Sequence, residues 1–219
     1  GAQGGGGGYV IENSCRFNAA DSPSLLWTPG VEPSSTTQCC IGAWIKRSDI
    51  DNTYTGLFAA GTNDMTTHFK SAAEMSTNDG GAETLTSTQL FRDPTAWMHI
   101  LLSYDTAQGT AANRLKIYVN GEEVTVWTTD TRTNITASEV LRYCDNGIVQ
   151  CFGRHNPNAA SNFFDGYVAQ FVGLDGQSIQ GGGVAITDFV DTDANGNPIA
   201  VDVSGLTFGT NGWHLDFAI

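Results

Sequence analysis

Residues 114–129 read RLKIYVNGEEVTVWTT, and that stretch sets the fold class. Leu115, Ile117 and Val119 alternate with Lys116 and Tyr118, the two-residue period of a strand with one face in a core. Asn120-Gly121 follows, a pair that tolerates the positive φ angles a primed hairpin turn requires. Val124 and Val126 then alternate back, so a second strand is expected to return beside the first.

Strand patterns continue on both sides. AWMHILLSYD (96–105) puts Met98, Ile100, Leu102 and Tyr104 on one face and Trp97, His99 and Leu101 on the other, as expected of a central strand. CCIGAWIKR (39–47) sets Cys39, Ile41, Ala43 and Ile45 against Trp44 and Lys46, which predicts one wet side. YVIENSCRFN, SLLWT, GLFAAG, GIVQCFG, GYVAQFVGL and GWHLDFA read as further strands, whereas residues 62–94 are polar, with NDGGAE (78–83) expected as an exposed loop. No long stretch carries a 3.6-residue apolar period, and one short helical turn is expected at AITDFV (185–190). The expected fold is all-β, a two-sheet antiparallel jelly-roll sandwich, as one domain over residues 9–219. Gly1 to Gly8 precede it as a flexible leader, or as a docking arm ordered by a partner.

The 219 residues include 26 glycines and only 15% charged residues, which suits short strands and tight turns. With 23 acidic against 10 basic residues the formal charge is −13, so the chain repels a phosphate backbone; no nucleic-acid partner is expected. No apolar run approaches the roughly 20 residues of a spanning helix, and membrane insertion is not expected. The N-terminus has neither the charged nor the apolar region of a signal peptide. Five cysteines are an odd number for a disulfide framework. Cys144 and Cys151 flank DNGI, and a hairpin turn at Asn146-Gly147 sets Cys144 opposite Val149, leaving Cys151 at a diagonal of about 7–8 Å, too far to bridge. Five reduced, mostly buried thiols are expected, in a protein made in a reducing cytoplasm.

SCRFNAADSPSLLWTP, AWIKRS, LFAAG, FRDPTAWMHILLSYDT, RLKIYVNGEEV, FFDGYVAQFVGLDGQ and GTNGWHLDFA, in that order, resemble the concanavalin A-like (laminin-G-like) domains of tailed-phage virion proteins. The resemblance spans about residues 9–217. It implies two antiparallel sheets with ligand sites on a concave face or its rim loops. It also implies a place on a virion surface, as a tail fibre, receptor-binding protein or capsid fibre made in the bacterial host cytoplasm. Other virion proteins are the implied partners, with a homo-oligomer expected and a trimer suggested by the fibre resemblance. Where calcium-binding or catalytic relatives carry acidic residues after Gly-Tyr-Val, this chain has Ala169 and Gln170, and that site is not carried over.

Candidate chemistry is sparse. Glycoside hydrolysis needs two carboxyl groups flanking the scissile bond, and adjacent Glu122-Glu123 face opposite ways on a strand. His68, His99, His155 and His214 lack metal spacing, and no nucleophile elbow is present, so no enzyme is expected. In DTDANGNPIAVD (191–202), Asp191, Asp193, Asn195 and Asp202 stand at positions one, three, five and twelve of a Ca²⁺ loop, with Gly196 at six. The alternative is a polar turn joining two strands. For sugars, aromatic rings can stack on a pyranose while neighbouring polar groups bond its hydroxyls. Trp44, Tyr54, Trp127, Arg154, His155 and Asn156 form the candidate rim. The sequence thus points to a lectin-like virion component binding host-surface glycan. The alternatives are a non-binding decoration domain and a polysaccharide depolymerase.

Overall fold

The computed structural model describes residues 8–50, 53–62, 64–71 and 73–218. The expected leader or docking arm therefore lies outside the described residues, apart from Gly8. The strands are β1 (Cys15–Phe17), β2 (Leu25–Trp27), β3 (Gln38–Arg47), β4 (Tyr54–Ala60), β5 (Met65–Lys70), β6 (Glu74–Asp79), β7 (Ala82–Leu90), β8 (Met98–Asp105) and β9 (Leu115–Val119). They continue with β10 (Glu122–Glu123), β11 (Trp127–Asp130), β12 (Gln150–Phe152), β13 (Arg154–Asn156), β14 (Ala159–Phe163), β15 (Gly166–Asp175), β16 (Val190–Thr192), β17 (Pro198–Ala200) and β18 (Trp213–Leu215). The first sheet has the order β1-β15-β3-β8-β9-β10, with β18 also on β15; the second is β11-β7-β6-β5-β4-β12-β2. All pairings are antiparallel, and β13–β14 and β16–β17 form separate hairpins.

The core lies between the two sheets. Ile41, Ala43 and Ile45 of β3, Ile100 and Leu102 of β8, and Leu115 and Ile117 of β9 meet Leu57, Met65, Phe69, Met75 and Leu85 of the second sheet. The alternation in residues 114–119 selects that face, and the turn forms at Asn120 (φ 54°) and Gly121 (φ 89°). The return is shorter than expected. Glu122 and Glu123 pair with β9, the Val124 N–H adds one bond to Ile117, Val126 is 64% exposed, and Trp127 has already crossed to β7. The expected helical turn is present as a single 3₁₀ turn, Ile186–Asp188.

Three expectations are corrected. Strand β3 has no wet side at its centre, because Cys40 and Trp44 are 0% and 3% exposed. The segment after β15 folds over that face: Val184 and Phe189 cluster with Cys40, and Val190 and Ala200 with Trp44. The loop expected at NDGGAE (78–83) narrows to a Gly80-Gly81 turn between β6 and β7, and the polar stretch around it carries strands β5, β6 and β7. Thr66, Thr67, Ser76, Thr77, Thr84 and Thr86 are buried there, since β-branched threonine suits a pleat even without apolar alternation. Asn146-Gly147 turns no hairpin: Cys144 lies outside the strands at φ 64°, and the Gly147 N–H donates to Pro29. All five cysteines are unbridged, and burial pushes the Cys40 thiol up to about 12.

At one rim, Asp79 ends β6 in a cleft shared with Asp64, Glu139 and Arg142. Burial, then the Glu139 carboxylate beside it, pushes the Asp79 carboxyl up to about 7. Below the unfolded value near 4 this group's contribution is fully present. As pH rises through 7 the folded protein must ionise Asp79 beside the Glu139 carboxylate, and the contribution is lost. Asp79→Asn is expected to match the wild type at pH 4. At pH 8 it should be more stable by about 1 kcal/mol, a figure that allows for partial solvent screening. Urea denaturation across pH 4–8 checks this; parallel profiles for the two proteins would contradict it.

Candidate functional site

A row of outward-facing positions crosses the second sheet, with Gly56 of β4 beside His68 of β5, then Ser76 of β6 and Thr86 of β7. Gly56 decides what lies on top. A Cβ there would stand 2.0 Å from the His155 amide nitrogen and 2.1 Å from the Arg154 carbonyl carbon. Glycine in a strand interior permits such close backbone approach, and the β13–β14 hairpin uses it to fold onto β4. The Gly153 N–H donates to Leu57 (3.0 Å) and the Phe164 N–H to Gly153 (2.8 Å), fixing both ends of the hairpin.

This placement gathers an aromatic platform. The His155 ring lies 4.6 Å from His68 and 5.6 Å from Tyr54, and Tyr54 lies 5.1 Å from His68. His68 is buried, while Tyr54 is 41% exposed. Burial, then His155 and Lys70, pushes the His68 imidazole down to about 3, and burial lowers His155 as well. Both rings are therefore neutral near pH 7 and brace Tyr54 as flat, uncharged surfaces.

Beside Tyr54 opens a cleft of about 290 Å³ lined by Ala19, Thr53, Tyr54, Asn162 and Phe163. Asp165 holds the Ala19 wall: one oxygen accepts the Ala19 N–H (3.1 Å), and the other pairs with Arg16 (2.8 Å). Arg154 donates to the Pro157 carbonyl, and the Asn156 side-chain oxygen accepts the Asn158 N–H (2.8 Å), so both shape the hairpin turn. An exposed ring with amide and hydroxyl groups at its edge can stack on a sugar and bond its hydroxyls. The lining named here carries no carboxylate pair for acid–base hydrolysis.

The candidate rim residues divide among three places. Tyr54, Arg154, His155 and Asn156 belong to the β4 and β13 region just described. Trp44 does not join them; it lies on the outer face of the first sheet, buried against His99 at 5.4 Å. Trp127 sits on edge strand β11, packed against the core with the Arg132 guanidinium 5.8 Å from its ring. The two tryptophans lie on strands of different sheets, and a rim inferred from loop proximity does not see that separation. His68, Asn162, Phe163 and Gly56 complete the site without matching the sugar-binding pattern in the sequence; Gly56, inside a strand pattern, is the available signal.

The four candidate Ca²⁺ ligands lie along the β16–β17 hairpin, with Asp191 in β16, Asp193 and Asn195 in the turn and Asp202 just past β17. One Asp193 oxygen accepts the Asn195 and Asn197 N–H groups (both 2.8 Å), the other accepts the Asn197 side-chain amide (3.0 Å), and Gly196 supplies φ 82°. Asp191 accepts the Thr192 N–H and Asp202 the Ser204 N–H. Asp191 sits in β16 opposite Ile199 of β17. Among the described residues, no group of three or more His, Cys, Asp or Glu is placed to hold a metal ion.

Solved structures of similar shape include a native heptameric SAP-like pentraxin from Limulus polyphemus, at 11% identity and TM-score 0.45, covering 76% of this chain and 77% of that one. Domain 4 of a GH43 extracellular arabinanase from Geobacillus stearothermophilus, in complex with arabinotriose, is similar at 14% identity and TM-score 0.49, covering 75% of this chain and 71% of that one. The LG4-5 domains of the mouse laminin α1 chain are similar at 13% identity and TM-score 0.49, covering 81% of this chain and 45% of that one. No curated protein sequence matches the chain. The sequence profile of the concanavalin A-like lectin/glucanases superfamily matches residues 21–176, well over half of the chain, and the chain belongs to that family.

Proposed function

We propose that this domain binds carbohydrate in the Tyr54 cleft and serves as a fibre or receptor-binding component of a phage virion, attaching to host-surface glycan. The observation that carries the binding reading is the exposed Tyr54 ring braced by two neutral imidazoles beside a polar cleft. The virion setting rests on the ordered motifs from SCRFNAADSPSLLWTP to GTNGWHLDFA. In that setting the chain works as an oligomer, a trimer in the fibre reading, with Gly1 to Gly8 reaching a neighbouring virion protein. Repetition on the particle would raise a weak single-site affinity by effective concentration.

The test is binding of the wild type and Tyr54→Ala to bacterial surface glycans, in calcium and in chelator. Loss of the ring is expected to weaken binding by about tenfold or more, as for a central aromatic anchor. Equal binding by both proteins would refute the site. Binding confined to calcium would instead bring forward Asp191, Asp193, Asn195 and Asp202.

A further inference from the structure

The outer face of the first sheet carries a second pocket, unconnected with the glycan reading. Ala169 of β15 pairs with Trp44 of β3, and the register shifts immediately after it. At that bulge Gln170 takes φ 45°, unusual for a residue with a side chain, and its amide donates to the Val201 carbonyl at 2.6 Å. Because residue 169 ends in a single methyl group, space remains beside the Trp44 indole. A pocket of about 70 Å³ opens there between Ile11, Glu12, Asn13, Trp44, Trp97 and Ala169. That is several times the room one water needs, and the size of a small head group rather than a chain of sugar rings.

Its walls are fixed from behind. Trp44 packs on His99 (5.4 Å) and clusters with Val190 and Ala200, and Trp97 lies 6.4 Å from Tyr167. Ile11, Glu12 and Asn13 also line a wider groove with Tyr9, Gln170, His214 and Asp216. That groove is acidic: the Tyr9 hydroxyl is raised by burial first, then by the charges of Asp202, Asp216 and Glu12. The Asp93 carboxyl is lowered first by hydrogen bonds from the Thr95 hydroxyl and N–H, and also by the charge of Lys46, two residues along β3 from Trp44. Two indoles in a pocket that Glu12 also lines, on a chain of net charge −13, favour a cation, which the negative face of an aromatic ring attracts.

We propose that the pocket between Trp44 and Trp97 binds a small organic cation, an alkylammonium group seated on the indoles with its charge toward Glu12. Tetramethylammonium is the probe and 3,3-dimethyl-1-butanol its neutral counterpart of similar shape, each titrated at constant ionic strength into ¹⁵N-labelled protein. The indole N–H signals are assigned with Trp44→Phe and Trp97→Phe. The ammonium ion is expected to shift both signals saturably, and the alcohol to bind at least severalfold more weakly. Glu12→Gln, at an exposed position, should weaken the ammonium ion on the order of fivefold. Ala169→Leu should fill the pocket and abolish the shifts while leaving glycan binding at Tyr54 unchanged. Equal binding of the alcohol, no saturable shift, or an unaltered Glu12→Gln would each overturn the proposal. Glu12→Gln decides the matter even if Ala169→Leu disturbs folding.

Discussion

Replacing Gly56 by alanine is expected to lift the β13–β14 hairpin off strand β4 and to dismantle the Tyr54 cleft. The added methyl would meet the His155 nitrogen at 2.0 Å, the Arg154 carbonyl carbon at 2.1 Å and the His155 Cα at 2.5 Å. All three are backbone atoms, so no rotamer change relieves the contact. The hairpin must move as a body, against the hydrogen bonds that fix Gly153 and Phe164. Because it can lift, the clash energy is capped by the loss of its packing, and the expected destabilisation is about 1–3 kcal/mol. For a chain of this length that lowers the melting temperature by roughly 3–10 °C. The effect on binding is larger, because Asn162 and Phe163 reach the cleft only through the hairpin and His155 braces Tyr54 only from β13. At least a tenfold loss of glycan affinity should accompany altered His68 and His155 resonances. Unchanged resonances and melting would show that the close approach is not what seats the hairpin.

Legibility followed how local each cause was. Strands β8 and β9 were readable because their apolar alternation reports a core directly beneath them. The same logic misplaced the outer face of β3, since a strand's own residues do not reveal that Phe189, Val190 and Ala200 will fold over it. The threonine-rich strands β5 to β7 were missed because few of their residues, such as Met65, Phe69, Met75 and Leu85, are the apolar ones a period search detects. At the site, Tyr54, Arg154, His155 and Asn156 were nameable as residue types suited to sugars. Their meeting depends on a glycine 99 positions away from His155, a long-range cause. The Asp191 to Asp202 spacing matches a calcium loop, and spacing alone does not report that Asp191, Asp193 and Asp202 each accept nearby backbone N–H groups.

Asp175→Ala is expected to be among the most destabilising single substitutions in the fold. The residue ends β15 and is 2% exposed. One carboxylate oxygen accepts the Ser34 N–H (2.7 Å) and the Asn211 N–H (3.0 Å), and the other accepts the Ser35 N–H (3.3 Å). Two segments that form no strand of their own, around residues 34 and 210, are thus tied to the first sheet by one side chain. The second of these leads directly into β18, whose Trp213 ring covers Gly173 and packs on Trp27 at 4.7 Å. Alanine leaves three backbone donors without their acceptor. Each buried orphan costs about 1–3 kcal/mol, partly relieved where water can reach, which gives about 3–5 kcal/mol in total. That is a large fraction of the stability of an ordinary domain. Asp175→Asn separates acceptor geometry from packing, because the amide keeps one oxygen but presents an NH₂ group where the second must accept. It should lie between wild type and alanine. Hydrogen exchange offers the residue-level check: Ser34, Ser35 and Asn211 should lose protection in the alanine variant, with a red shift of tryptophan emission as β18 loosens. A destabilisation below about 1 kcal/mol, with protection retained, would mean that the two segments are held by the Asp175–Phe208 backbone hydrogen bond and the Trp213 contacts alone.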